Sequence, residues 1–196
     1  MGRNYSEHAK EMGSKVEAEP LVFFKPSSSL IQNPNEVILP NFSEEVHHEV
    51  ELFFQVSKDV HQIRKNEVSN FIEGIGIGVD FTARDLQKIA KDGGKPWSLA
   101  KGFYQSAPIS DVSSQLNFLE NFDLELKVNG KTKQKGNTKD MIWGIPDLLV
   151  YLSNRFYLNA GDIIFTGTPK GVAKVEKGDR IEAFLNNTKM LDFSLK

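Results

Sequence analysis

The sequence predicts an α+β fold that is mainly β, and three observations carry that prediction. Short apolar or alternating runs outnumber helical periodicities along the chain. Two pairs of such runs are joined by Asn129-Gly130 and Asn186-Asn187, residues suited to tight hairpin turns. Gly74-Ile75-Gly76-Ile77-Gly78-Val79 alternates glycine with apolar residues, the pattern of a strand with one apolar face and one bare face.

In order along the chain, residues 1–15 are polar and weakly helical. Leu21 to Lys25 reads as a buried apolar strand stopped by Pro26 and the serines that follow, and a loop with Pro34 and Pro40 comes next. Val46 to Val56 alternates as one strand. His48, Val50, Leu52, Phe54 and Val56 share one face, and Glu49, Glu51, Phe53 and Gln55 the other. Asp80 ends the glycine-lined strand, and Thr82 to Lys91 predicts a helix. Asp123 to Val128 and Lys131 to Lys135 form a hairpin, because Asn-Gly accepts the positive φ of a type I′ turn. A helix starts near Pro146, tolerated in a first turn, and runs to about Phe156. Asn159 to Asp162 turns into a strand over Ile163 to Thr166, and Asp179 to Leu195 makes a second hairpin.

A chain of 196 residues without internal repeats or linker-like tracts is one domain spanning residues 1–196. A net charge of −2 gives no general attraction to nucleic acid or anionic membrane. The absence of cysteine removes disulfides, thiolate metal sites and cysteine nucleophiles. No apolar run approaches the roughly 20 residues of a membrane span, and the polar start lacks the apolar segment of a signal peptide. A cytoplasmic enzyme or binding protein is the expectation.

Several groups of residues could carry chemistry. Glu49 and Glu51, two apart on a strand, point to one side and are close enough to share a hard cation. That spacing alone more often describes a solvated strand face. Asp80, at the mouth of a glycine-lined strand, could join them; three converging carboxylates would require a cation, and oxygen ligands favour Mg2+, Mn2+ or Ca2+ over zinc. Arg84 and Gln87 are neighbours on one helix face, and an arginine beside a metal can grip a substrate carboxylate. His8 and Glu11 have the spacing of a base and its orienting carboxylate, or of a plain surface pair. His47 and His48 face opposite ways on a strand, which suits structural roles better than joint zinc ligation. Neither Gly74-x-Gly76 nor Thr166-Gly167-Thr168-Pro169-Lys170-Gly171 meets a nucleotide-loop pattern, though the latter could bind an anion.

The order of these groups is more specific than any one of them. Gly2-Arg3-Asn4-Tyr5 with His8 and Glu11, then Phe24-Lys25-Pro26-Ser27, His48-Glu49-Val50-Glu51-Leu52, Asp80-Phe81-Thr82-Ala83-Arg84-Asp85, Trp97 to Lys101, and Thr166 to Gly171 together resemble the fumarylacetoacetate hydrolase family. Its short single-domain members, related to acylpyruvate hydrolase and oxaloacetate decarboxylase, are the most similar. The resemblance implies a mixed β-roll, a homodimer, and Mg2+ (or Mn2+) on Glu49, Glu51 and Asp80. It implies a pocket for a 2-oxo acid lined by Arg84, Gln87, Lys101 and Thr168, with Lys101 also serving catalysis. His8 and Glu11 match the family's catalytic dyad, on a segment (residues 1–15) that closes as a lid. Family members carry a strand ahead of the Gly-Arg-Asn-Tyr segment, whereas here only Met1 precedes it. The implied reaction is cleavage of a C–C bond in a 2-oxo acid through a pyruvate enolate held on the metal: acylpyruvate hydrolysis, oxaloacetate decarboxylation or both. Keto–enol tautomerisation of oxaloacetate, or binding of a 2-oxo acid without turnover, are the alternatives.

Overall fold

The computed structural model describes residues 1–7 and 18–196. Among them run β1 (Leu30–Gln32), β2 (Glu36–Val37), β3 (Val46–His48), β4 (Val50–Val56), β5 (Ile72–Val79), β6 (Thr82–Ala83), α1 (Arg84–Asp92), α2 (Ser98–Lys101) and β7 (Ala107–Ile109). Then come β8 (Asp123–Val128), β9 (Lys131–Asn137), α3 (Ile145–Ser153), β10 (Ile163–Phe165), β11 (Ala173–Lys174), β12 (Arg180–Leu185) and β13 (Thr188–Leu195). The described strands form three sheets, ordered β1-β7-β5-β4-β10, β2-β13-β12-β8-β9 and β11-β3-β6. The expected mainly β architecture with short helices is what the chain adopts. None of the described helices is long and apolar enough to cross a membrane.

The core lies between the two five-stranded sheets. Leu52, Phe54, Ile75 and Ile77 of the first join Leu124, Leu126, Ile181 and Phe193 of the second in one buried cluster. Both hairpin turns take the backbone that their residues favour: Asn129 and Gly130 have φ of 51° and 74°, Asn186 and Asn187 of 47° and 65°.

The run from Val46 to Val56 is two strands, not one. β3 pairs with β6 and β11, whereas β4 pairs with β5 and β10, and Glu49 stands at the corner where the chain passes between sheets. Its two faces are buried alike, so Glu49 and Glu51 do not form a solvated face. The bare face of β5 is filled by the protein itself. A Cβ on Gly76 would lie 2.4 Å from the Phe53 ring and 2.8 Å from the Asp111 carbonyl, and one on Gly78 would lie 2.6 Å from the Phe165 ring. The glycines therefore mark close approach by aromatic rings and backbone, not by a ligand.

Other boundaries also differ from expectation. Leu21 to Lys25 is an extended segment in which, among the described residues, only Leu21 makes a bridge, to Gly2, and Phe24 is 66% exposed. The helix expected over Thr82 to Lys91 starts at Arg84, because Thr82 and Ala83 pair with His47 and Val46. Helix α3 stops before Phe156; Arg155 and Phe156 instead fold their N–H groups back onto the Leu152 carbonyl. Strands β1, β2 and β7, two or three residues each, fall below the length at which periodicity is readable.

Replacing Gly76 with valine should destabilise the fold by about 2–3 kcal/mol, since neither the packed Phe53 ring nor the Asp111 backbone has room to yield. Urea denaturation should show a lower midpoint with an unchanged slope; an unaltered midpoint would contradict this account of the glycine face.

Candidate metal centre

Two backbone features bring the acids together. The Asp80 N–H bonds the Glu49 carbonyl at 2.8 Å, joining the sheet corner to the end of β5. Glu51 sits on β4 directly opposite Gly78, on the side where β5 has no side chains. Ligand oxygens of Glu49, Glu51 and Asp80 consequently lie within 4.8 Å of one another, and the three residues are 5%, 1% and 1% exposed.

Cations from three other elements surround them. Lys101, at the end of α2 and 2% exposed, places Nζ 2.7 Å from Glu49 Oε2, 2.6 Å from Asp80 Oδ2 and 2.5 Å from Thr82 Oγ1. Burial disfavours this ammonium, but Asp80 and Glu49 outweigh it and raise its pKa. Arg84, the first residue of α1, donates to Glu49 Oε1 and to Gln87 Oε1, both at 2.5 Å. Lys25 pairs with Asp80 Oδ1 at 2.8 Å while donating to Ser106 Oγ at 2.8 Å and to the Lys101 carbonyl. Burial lowers its pKa, with the Asp80 carboxylate opposing.

Glu51 is the acid these cations serve least. Its Oε2 accepts the Gly167 N–H at 2.5 Å. Burial, with Asp80 and Glu49 adding repulsion, nevertheless pushes its carboxyl up to about 8. The Met1 ammonium and Lys101 oppose that shift without cancelling it, so one acid of the three remains short of positive charge. A divalent cation would correct that deficit, and an all-carboxylate donor set suits hard ions such as Mg2+ or Mn2+. The residues present fit such an ion.

Beside the acids is a small polar cavity of about 30 Å³, lined by Glu49, Arg84, Gln87, Lys101 and Thr168 together with Phe23 and Trp97. Because Gln87 Oε1 is taken by Arg84, its amide nitrogen is the end left for a ligand. A second hollow of about 340 Å³, walled mainly by Val22, Phe24, Leu152, Phe156 and Phe165, reaches Lys25 and Asp80 from another side.

All three expected metal ligands therefore converge, and Arg84, Gln87, Lys101 and Thr168 line one cavity beside them. His8 and Glu11, and with them most of the expected lid, lie outside the described residues; Asn4 and Tyr5 ahead of them are buried, Asn4 donating to the Trp143 and Thr166 carbonyls. Lys25 was not among the expected site residues. Its signal was a lone lysine ending an apolar run, where a buried cation needs an acid partner.

The chain belongs to the fumarylacetoacetate hydrolase family: the model for the fumarylacetoacetate (FAA) hydrolase C-terminal domain matches residues 1–192. Among similar proteins, a mitochondrial oxaloacetate tautomerase of Arabidopsis thaliana is 40% identical over 198 residues, covering 100% of this chain and 89% of that protein. A mitochondrial oxaloacetate decarboxylase of Dictyostelium discoideum is 40% identical over 185 residues, covering 93% of this chain and 85% of its own length. The crystal structure of fumarylpyruvate hydrolase from Pseudomonas aeruginosa, in complex with Mn2+ and pyruvate, superposes with a TM-score of 0.93 at 34% identity, covering 99% of this chain and 86% of that one.

The Glu51 carboxyl gives metal binding a pH dependence. From the ordinary carboxylate range up to pH 8, the folded metal-free protein holds a proton on Glu51 that the unfolded chain has lost. Its stability therefore falls as pH rises through that window, and the loss is complete above pH 8. A bound cation must expel the same proton. Titration calorimetry should find Mn2+ affinity rising by up to about tenfold per pH unit towards pH 8 and then levelling; a flat profile across that range would contradict the assignment.

Proposed function

We propose that this protein is a metal-dependent enzyme acting on small 2-oxo acids. On our reading it cleaves a C–C bond in an acylpyruvate, in oxaloacetate or in both, with Mg2+ as the cation and Mn2+ able to replace it. The observation that carries this is the buried Glu49–Glu51–Asp80 cluster opening onto a cavity lined by Arg84, Gln87 and Lys101. The P. aeruginosa relative crystallised with Mn2+ and pyruvate supports both the cation class and the substrate class.

A divalent cation held by the three acids would supply Lewis acidity towards the carboxylate and keto oxygens of a 2-oxo acid. The protein's own groups do the rest. Arg84 and the Gln87 amide grip the substrate carboxylate, Arg84 being already fixed by Glu49. Lys101, fixed between Glu49 and Asp80, carries positive charge towards the place where the keto oxygen gains negative charge as an enolate forms. Thr168 lines the same cavity. His8, oriented by Glu11, takes the proton from a water that attacks the distal carbonyl of an acylpyruvate. Loss of CO2 from oxaloacetate leaves the same enolate without an attacking water, so one pocket serves both reactions. We take the working unit to be a homodimer.

Keto–enol tautomerisation of oxaloacetate is the second reading, favoured by the tautomerase relative that matches the whole chain at 40% identity. It needs proton transfer at the carbon beside the keto group and no C–C cleavage.

A panel of acylpyruvates and oxaloacetate, assayed with Mg2+, Mn2+ or EDTA, tests the assignment when pyruvate release and loss of the enol are followed separately. Metal-dependent pyruvate release supports cleavage, and enol loss without pyruvate favours the tautomerase; a protein showing no metal-dependent activity of either kind would overturn the enzyme reading. Lys101→Met should lower kcat at least about 100-fold in the favoured reaction, because it removes the charge facing the enolate, and should also lower the thermal midpoint, because it leaves Glu49 and Asp80 buried without their ammonium partner. His8→Ala should abolish acetylpyruvate hydrolysis and leave Mn2+ binding intact; unchanged hydrolysis would remove His8 from its role.

A further inference from the structure

One fully buried polar side chain near the acids has no part in the reaction above. Gln134 projects from β9 of the second sheet into the first and makes four contacts. Its Oε1 accepts the Val50 N–H at 2.9 Å and faces His48 Nδ1 at 2.8 Å. Its Nε2 lies 2.8 Å from Thr168 Oγ1 and 2.9 Å from the Pro169 carbonyl.

An amide's oxygen and nitrogen can exchange places without changing its shape, but two of these partners have fixed polarity. The Val50 N–H can only donate and the Pro169 carbonyl can only accept, so the amide has one orientation. His48 must then carry its N–H at Nδ1. Its Nε2 has no partner among the described residues, which a bare lone pair tolerates better than a buried N–H would. Thr168 Oγ1 receives the other amide hydrogen and stands 2.8 Å from the Val50 carbonyl, which can only accept. The threonine's own proton is therefore committed to Val50.

These contacts replace a backbone ladder. β10 pairs with Phe53 to Gln55, and the Thr166 N–H still reaches the Leu52 carbonyl at 3.0 Å. Gly167 then turns away with φ of 101° and gives its N–H to Glu51. Beyond that point both polar groups of Val50 are met by side chains, Gln134 and Thr168.

We propose that Gln134 is a positioning residue of the metal centre. By clamping Val50, the residue between Glu49 and Glu51, to Thr168 and Pro169, it fixes the acids relative to the turn whose Gly167 N–H holds Glu51. It also turns the Thr168 hydroxyl so that only a lone pair remains for the cavity. Thr168 there accepts a hydrogen bond from a hydroxyl or water and does not donate one to a carboxylate. The metal part of this inference rests on the reading of Glu49, Glu51 and Asp80 as ligands.

Two measurements test it. In the wild-type protein, 15N NMR should find His48 protonated at Nδ1. That state should persist in Gln134→Glu, which keeps the acceptor, and be lost in Gln134→Met. By calorimetry with Mn2+ alone, Gln134→Met with native circular dichroism should bind at least tenfold more weakly than wild type. A wild-type His48 protonated at Nε2, or a folded Gln134→Met that binds Mn2+ as tightly as wild type, would overturn the proposal. Should Gln134→Met fail to fold, the wild-type and Gln134→Glu tautomers decide. Absence of Mn2+ binding by the wild type would instead overturn the metal reading, and the His48 result would still report on the clamp.

Discussion

A lysine ammonium buried between two carboxylates is the interaction on which the rest of this molecule turns. Lys101 stands within hydrogen-bond distance of both Glu49 and Asp80, and none of the three is more than 5% exposed. Removing such charges from water is costly, and it is tolerated only where geometry and further hydrogen bonds are good. Here the further partners come from separate parts of the chain: Lys25 from the segment before β1, Arg84 from the start of α1, and Thr82 from β6. The helices are thereby tied to the sheets by charge as much as by apolar packing. The arrangement still leaves Glu51 short of positive charge, which is why the site reads as a cation centre and not as a finished ion-pair network.

That charge cluster depends in turn on a corner. Had Val46 to Val56 been one straight strand, Glu49 would have remained in register with its neighbours and away from the end of β5. Because the chain changes sheets at Glu49, its carbonyl can receive the Asp80 N–H, and the side chains of both residues reach the same cation. The glycines of β5 serve the same end indirectly. They admit the Phe53 and Phe165 rings against the strand, so that a closely packed apolar wall stands under Glu51.

Much of this was legible in the sequence, for reasons that differ by element. Asn129-Gly130 announces its hairpin because few other pairs accept two positive φ angles in succession. β5 is legible because alternation of glycine with isoleucine fits no other element. The three acids were ambiguous by spacing and became a site only through the order of their partners along the chain. The break at Glu49 was hidden, since alternation continues smoothly across a change of sheet. Lys25 and Gln134 were hidden for a related reason: Asp80 is 55 residues from Lys25, and Val50 is 84 residues from Gln134. Gln134 carried only a faint trace, as one of two uncharged positions, with Thr132, that alternate with Lys131, Lys133 and Lys135 on β9.

The site occupies the place where a backbone ladder ends. An antiparallel strand continued past Phe165 would have satisfied Val50 with its own N–H and C=O groups and directed no donor at Glu51. By stopping there, the chain leaves Val50 to Gln134 and Thr168 and frees the Gly167 N–H to point inward. The cost of an interrupted sheet is offset by side chains that meet the same polar groups at 2.8 to 2.9 Å. Gly136 and Gly171 make this substitution geometrically feasible, since a Cβ on either would strike Pro169 or the Lys133 carbonyl at 2.5 and 2.4 Å. The second sheet, whose strands supply none of the three acids, thus helps to set the position of the one acid that the surrounding cations fail to balance.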